Sequence, residues 1–343
     1  MTSKEQLEQF YPFDEAVIDQ VRQTAAWQNR MHFSQLADYY DIGDGPEVVP
    51  AADDHKAFQV LTIKPGGDYD HEQAMVYHLP MSLPIDQNMT MRMLRLFGAD
   101  ESRQLIVAGN PSAAGQKYGK LRFRDLRKVW GGDLSPTVDP LLKYLIEKGI
   151  SRTDQVGFSY GADKAAAASA RAVDHDIAVE RGVWMETAAS RDYGPGIIGL
   201  ARLGIRFMSA ADELDNYVES CDSQPLMEAR EFADVGLTRY LAGLARASNL
   251  AIGNALAHGG FRSRTERAMI AQPEMHTTLV WGTNSELVNY SRMLGMTITL
   301  RRKFGEERID SMIMEGMHHA GGDQIDLHAA IVLQALRPGR RLI

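Results

Sequence analysis

The sequence predicts an α/β fold: a mostly parallel central sheet flanked by helices and interrupted by a helical cap insertion. Three observations predict it. From Phe58 onward, short apolar runs closed by Gly, Pro or Asn alternate with longer helical stretches. A Gly-x-Ser-x-Gly pentapeptide, Gly157-Phe158-Ser159-Tyr160-Gly161, stands between an apolar strand and an alanine-rich helix. Residues 190–272 then break the rhythm, with helical patterns and no convincing strand.

Strands are expected at 58–63, 74–79, 103–109, 155–159, 181–186, 276–282 and 310–316, with helices at 86–97, 122–130, 137–148 and 161–173. The last of these is alanine-rich and of high helix propensity. At 343 residues the chain exceeds the usual single-domain size, so one large domain with an insertion is expected. The division is a helical N-terminal extension over 1–56, a core over 57–189 and 273–343, and a cap over 190–272. Within the extension, Ala16 to Arg30 has an amphipathic pattern, and Gly43-Asp44-Gly45-Pro46 breaks the chain.

Composition narrows the function classes. With 44% hydrophobic and 24% charged residues the chain can bury a substantial core. A net charge of −8 and no long basic run give a nucleic-acid surface little electrostatic support. The densest basic stretch, Lys117 to Lys128, reads as a solvated helix face or crevice wall. Cys221 is the single cysteine, which excludes an intrachain disulfide and a multi-thiolate zinc site and fits a reducing compartment. The polar N-terminus lacks a signal-peptide core and no stretch matches a membrane span, so a soluble cytoplasmic protein is expected. His71-Glu72 lacks the second histidine of a zinc-protease helix, and the turn Gly66 to Asp70 reads as a hairpin rather than a calcium loop. No cofactor or metal is expected. A small-molecule partner is expected, and a homo-oligomer is compatible with the sequence.

The pentapeptide has a steric logic. A serine held on a very tight strand-to-helix turn needs neighbours two positions away without bulky side chains, and Gly157 and Gly161 meet that need. The turn also places Ser159 at a helix N-terminus, where the Tyr160 N–H and the helix dipole can stabilise a developing oxyanion.

From about residue 58 to the C-terminus the chain resembles the α/β-hydrolase fold superfamily in the order of its elements. The segment VYHLP (76–80) is similar to the His-Gly before the family's oxyanion loop, and VAGNPSAAG (107–115) to its Gly-x-Pro-containing loop. The elbow is GFSYGADKAA; LVWGTNSELV (279–288) resembles the acid turn after the seventh strand, and IMEGMHHAGG (313–322) the histidine loop after the eighth.

The resemblance implies a catalytic triad in the order serine, acid, histidine. Ser159 is the implied nucleophile. Similarity of Gly316-Met317-His318-His319 to the family's Gly-Met-Gly-His implies His319 as base, with His318 as the alternative register. The family's aspartate position is occupied by Ser285, so Glu286, one residue later, is taken as the acid, with Glu186 at the end of the sixth strand as the alternative. The oxyanion donors implied are the backbone N–H of Tyr160 and, because Pro80 has none, that of Met81 or Leu79.

The expected function is a serine hydrolase acting on a small or medium, largely apolar ester, thioester or amide through an acyl-serine. Trp184, Tyr193 and Phe207 are candidates for an apolar crevice wall. The alternative is a catalytically degenerate member of the fold serving in binding or structural assembly, recognisable by the lack of a carboxylate within reach of either histidine.

Overall fold

In the computed structural model of the chain, residues 14–23, 40–50, 56–97, 102–113, 121–206, 246–319 and 325–337 are described, apart from positions 15, 42, 44, 45, 82, 86 and 112. Residues 207–245 of the expected cap, Phe207 and Cys221 among them, and residues 24–30 of the Ala16 to Arg30 pattern lie outside them.

Strands of a parallel sheet are covered on both faces, which demands near-continuous apolar runs. Leu105 to Ala108, Val183 to Met185 and Leu279 to Trp281 are such runs, and each is buried. The strands are β1 (Glu47–Pro50), β2 (Lys56–Ile63), β3 (Asp70–His78), β4 (Arg103–Ala108), β5 (Arg152–Phe158), β6 (Ala178–Met185), β7 (His276–Gly282) and β8 (Ile309–Met314). They form one sheet in the order β1-β2-β4-β3-β5-β6-β7-β8. β2 runs antiparallel to both β1 and β4, and every pairing from β4 to β8 is parallel. Cα partners His78 with Gly157, Phe158 with Met185 and Gly282 with Met314 bring the carboxyl ends of the central strands to one rim.

The helices are α1 (Ala16–Arg22), α2 (Gln87–Phe97), α3 (Phe123–Trp130), α4 (Ser135–Glu147), α5 (Tyr160–Ala172), α6 (Ala247–Ala257), α7 (Phe261–Ala271), α8 (Tyr290–Phe304) and α9 (Ile325–Leu336). One hydrophobic cluster gathers Leu141, Tyr160, Ala165, Ala168, Phe261 and Leu300 from α4, α5, α7 and α8 over one sheet face. The other gathers Val17, Met89, Leu94 and Val332 from α1, α2 and α9 beneath the opposite face. Of the early methionines, Met75, Met89 and Met93 are core filling.

Three expectations change. β1 was not anticipated: its four residues, Glu-Val-Val-Pro, are too few for a period-2 pattern, and it is held by pairing with β2. The turn Gly66 to Asp70 is not a hairpin, because β4 lies between β2 and β3 in the sheet. Finally, α7 packs on α5 and carries the chain into β7, so it is a crossover helix of the core layer and not part of a cap. The described remainder of that segment includes helical residues 196–206, where Ile197, Ile198 and Ile205 are exposed and Leu203 is buried. Among the described residues no helix is long and apolar enough to cross a membrane.

A buried ion pair ties α7 to α5. The Arg264 guanidinium donates to Asp163 at 2.6 and 3.0 Å and to the Gly259 carbonyl at 3.1 Å, while the Thr187 hydroxyl donates to Asp163 at 2.8 Å. Burial pushes the Asp163 carboxyl up, and Arg264 opposes that shift. Removing one member leaves an uncompensated buried charge. Arg264→Ala should therefore lower the unfolding free energy by about 3–5 kcal/mol, as read by urea unfolding.

Candidate active site

The rim of the sheet is shaped by one close approach. A Cβ on Gly161 would lie 2.0 Å from the His78 carbonyl oxygen, and one on Gly157 would lie 2.2 Å from the Gly161 carbonyl oxygen. Any larger residue at either position would push α5 away from β3 and β5. Ser159, between them, has φ 55° and ψ −124°, a strained conformation for a side-chain-bearing residue. Its N–H donates to the Met185 carbonyl at 2.9 Å, which fixes the turn against β6. As the first residue of α5, Tyr160 has an N–H without an intrahelical acceptor.

The imidazole of His319 completes a line through the rim. Its Nε2 lies 3.2 Å from the Ser159 hydroxyl oxygen and its Nδ1 lies 3.0 Å from Oε2 of Glu186. The Phe158 ring stacks on it with centroids 5.2 Å apart, so contacts on two sides set its orientation. Ser159 and His319 are nearly buried and Glu186 is fully buried.

Glu186 is the second strained position at this rim, with φ 49°. Its N–H donates to the Val280 carbonyl at 2.8 Å. The carboxylate accepts the Gly282 N–H on one oxygen and, on the other, the Ser285 hydroxyl at 2.5 Å along with His319. Ser285, where the family's aspartate is expected, thus touches the carboxylate that reaches the histidine.

The structure places Glu186, and not Glu286, against His319. Glu286 faces Arg206, 3.3 Å from its guanidinium, and is a third exposed. A longer side chain one residue later does not compensate for the shift, because the backbone there turns the carboxylate outward toward the helical residues 196–206. Glu186 could be ranked first only from its place, as a carboxylate ending the apolar run Gly182 to Met185. Of the two histidines, His319 and not His318 contacts Ser159.

The oxyanion side is narrowed as well. The Leu79 N–H is spent on the Ala108 carbonyl at 3.2 Å, and Pro80 has no N–H, so Met81 is the remaining candidate of the pair considered. Trp184 is not a crevice wall: it is fully buried with its ring edge-on to Phe261 at 5.9 Å. Tyr193 is nearly buried too. Among the described residues no group of three or more His, Cys, Asp or Glu is placed to hold a metal ion.

Beneath the rim, His78 is fully buried, with Nε2 2.6 Å from Oε1 of Gln155. The Gln155 amide nitrogen donates to Thr153, so its oxygen is the acceptor and the His78 Nε2 carries the proton. Burial, then the nearby Lys164, lower the His78 pKa to about 3.

No protein-family model matches the sequence. No curated protein matches it either. Solved structures do. An esterase of Pyrococcus furiosus is 14% identical, with 89% of this chain and 93% of that one covered at a TM-score of 0.52. The 2-hydroxy-6-oxo-6-phenylhexa-2,4-dienoate hydrolase of Rhodococcus sp. strain RHA1 is 13% identical, with 84% and 99% covered at 0.51. A carboxylesterase of Bacillus subtilis is 14% identical, with 95% and 100% covered at 0.50. At such identities the likeness is one of fold, and the chain has the α/β-hydrolase fold.

The histidine beneath the rim has a consequence for stability. Between pH 6.5 and 3 the unfolded chain binds a proton at His78 that the folded chain excludes, so unfolding free energy falls as pH drops through this window. Urea unfolding across that range should give a shallower slope for His78→Asn than for the native chain.

Proposed function

We propose that the protein is a serine hydrolase that cleaves a small or medium carboxylic ester, thioester or amide through an acyl-serine intermediate. The observation that carries this reading is the unbroken line from the Ser159 hydroxyl through His319 to the buried Glu186 carboxylate. Ser159 Oγ attacks the substrate carbonyl carbon while its proton passes to Nε2 of His319. Glu186 holds the tautomer with hydrogen on Nδ1 and stabilises the imidazolium that forms. The oxyanion accepts the Tyr160 and Met81 N–H groups, each worth about 3 kcal/mol in the transition state. Collapse of the tetrahedral intermediate expels the alcohol, thiol or amine, which takes the proton from His319. Water then repeats the sequence against the acyl-serine and regenerates the free hydroxyl.

Two further features support the reading. The strain at Ser159 and Glu186 costs stability, and such strain gathers where chemistry needs a fixed geometry. The fold is similar to those of two esterases and a hydrolase. The alternative, a degenerate binding or assembly protein, was to be recognised by the lack of a carboxylate near the histidines. A carboxylate oxygen 3.0 Å from His319 weighs against it.

A fluorophosphonate probe, with the modified residue read by mass spectrometry, tests the proposal. Native protein should be labelled stoichiometrically at Ser159, and Ser159→Ala and His319→Ala should abolish labelling. Glu186→Gln should slow turnover by about 10⁴-fold, the loss expected when a histidine is left without its orienting anion. Glu286→Gln should stay within about twofold of native. Well-folded native protein that remains unlabelled would overturn the reading.

A further inference from the structure

We propose that Lys164 and Asn110 form a buried clamp that sets the peptide between Pro80 and Met81, and so aims the Met81 N–H at the oxyanion. The proposal rests on the hydrolase reading and adds two positioning residues to which the sequence reading gave no role.

The clamp starts on the nucleophile's own helix. Lys164 lies within α5 and is fully buried among its alanines. Its ammonium donates to the Gly109 carbonyl at 2.7 Å and to Oδ1 of Asn110 at 3.1 Å. The carbonyls at the opposite end of the amide can only accept, so they assign which end of Asn110 is nitrogen and which is oxygen. The NH₂ end then faces the oxyanion loop, donating to the Leu79 carbonyl at 3.2 Å and to the Pro80 carbonyl. Asn110 is itself 1% exposed, so water does not compete for these bonds.

Peptide planarity carries the effect to the reacting atoms. The Pro80 carbonyl and the Met81 N–H belong to one peptide unit, and no peptide bond is cis among the described residues. In a trans unit the two groups point in opposite directions, so gripping the carbonyl fixes where the N–H aims. Leu79 is held from the other side by its own N–H to Ala108. The two peptides on either side of Pro80 therefore take their orientation from β4 and the loop after it. Without the clamp, the unit after Pro80 can rotate and turn a carbonyl toward the oxyanion instead of a donor.

The residue type is costly for stability alone. Burial lowers the Lys164 pKa to about 7, because the charged form is poorly solvated there. An apolar side chain would pack against the alanines of α5 without that penalty, but it would leave Asn110 free to flip.

Asn110→Ala and Lys164→Met test the clamp. With an activated acetate or butyrate ester, each variant should lose about 10²–10³-fold in kcat with KM within about twofold, as expected for a lost oxyanion donor. Affinity for an alkylboronic acid, whose tetrahedral adduct places an anionic oxygen at the same point, should fall in parallel. Hydrogen exchange across residues 79–81 should quicken in both. Lys164→Gln, which keeps a donor, should recover part of the rate. If Lys164→Met fails to fold, Asn110→Ala still decides, since it removes only a side-chain amide. Native-like kcat, boronate affinity and exchange in Asn110→Ala, in an enzyme that is itself active, would overturn the clamp. An inert native protein whose exchange at 79–81 still quickens on Asn110→Ala would instead retire the hydrolase reading and leave the clamp as a backbone restraint.

Discussion

The contact on which the rest of the rim depends is the approach of the first turn of α5 to the backbone of β3. Gly161 stands so close to the His78 carbonyl that a single added carbon would collide, and Gly157 is shielded from Gly161 by the same narrow margin. This proximity forces Ser159 into its strained conformation and lifts its hydroxyl above the strand ends. Because α5 cannot retreat, the Tyr160 N–H and the positive end of the helix are delivered to the same spot.

Strain of this kind persists only where the surroundings over-determine it. Here the surroundings are polar as well as apolar. α5 is buried along its alanines but also carries two charged residues in sequence, Asp163 and Lys164. One reaches Arg264 on α7 and Thr187, the neighbour of Glu186; the other reaches the loop after β4. The helix that carries Ser159 is thereby linked to the segment after β6 on one side and to the loop after β4 on the other. Strain alone does not mark function: Asp176 is also left-handed, yet it closes a short turn remote from this rim.

Much of the architecture was legible because burial on both faces writes continuous apolar runs, and the seven expected strands all occur within a few residues of their anticipated bounds. The elbow was legible for a steric reason, since only glycine fits at 157 and 161. The acid was not. Its usual place holds Ser285, and a linear reading moves to the adjacent carboxylate at Glu286, whereas the geometry brings Glu186 from about a hundred residues earlier in the chain. The hairpin expectation for Gly66 to Asp70 failed similarly, because turn chemistry is local and strand order is not.

By itself, then, the sequence determined the element types, the parallel core and the position of the serine turn, all of which follow from periodicity and side-chain size over short spans. Only the tertiary structure decided which carboxylate meets His319, which N–H groups near Pro80 remain unspent, and where a buried lysine finds its acceptors. Those choices depend on the lateral order and register of strands, and on loops brought together by β3, β4, β6 and β7 at a shared rim. Contacts between segments so distant in the chain leave no short-range pattern in the sequence.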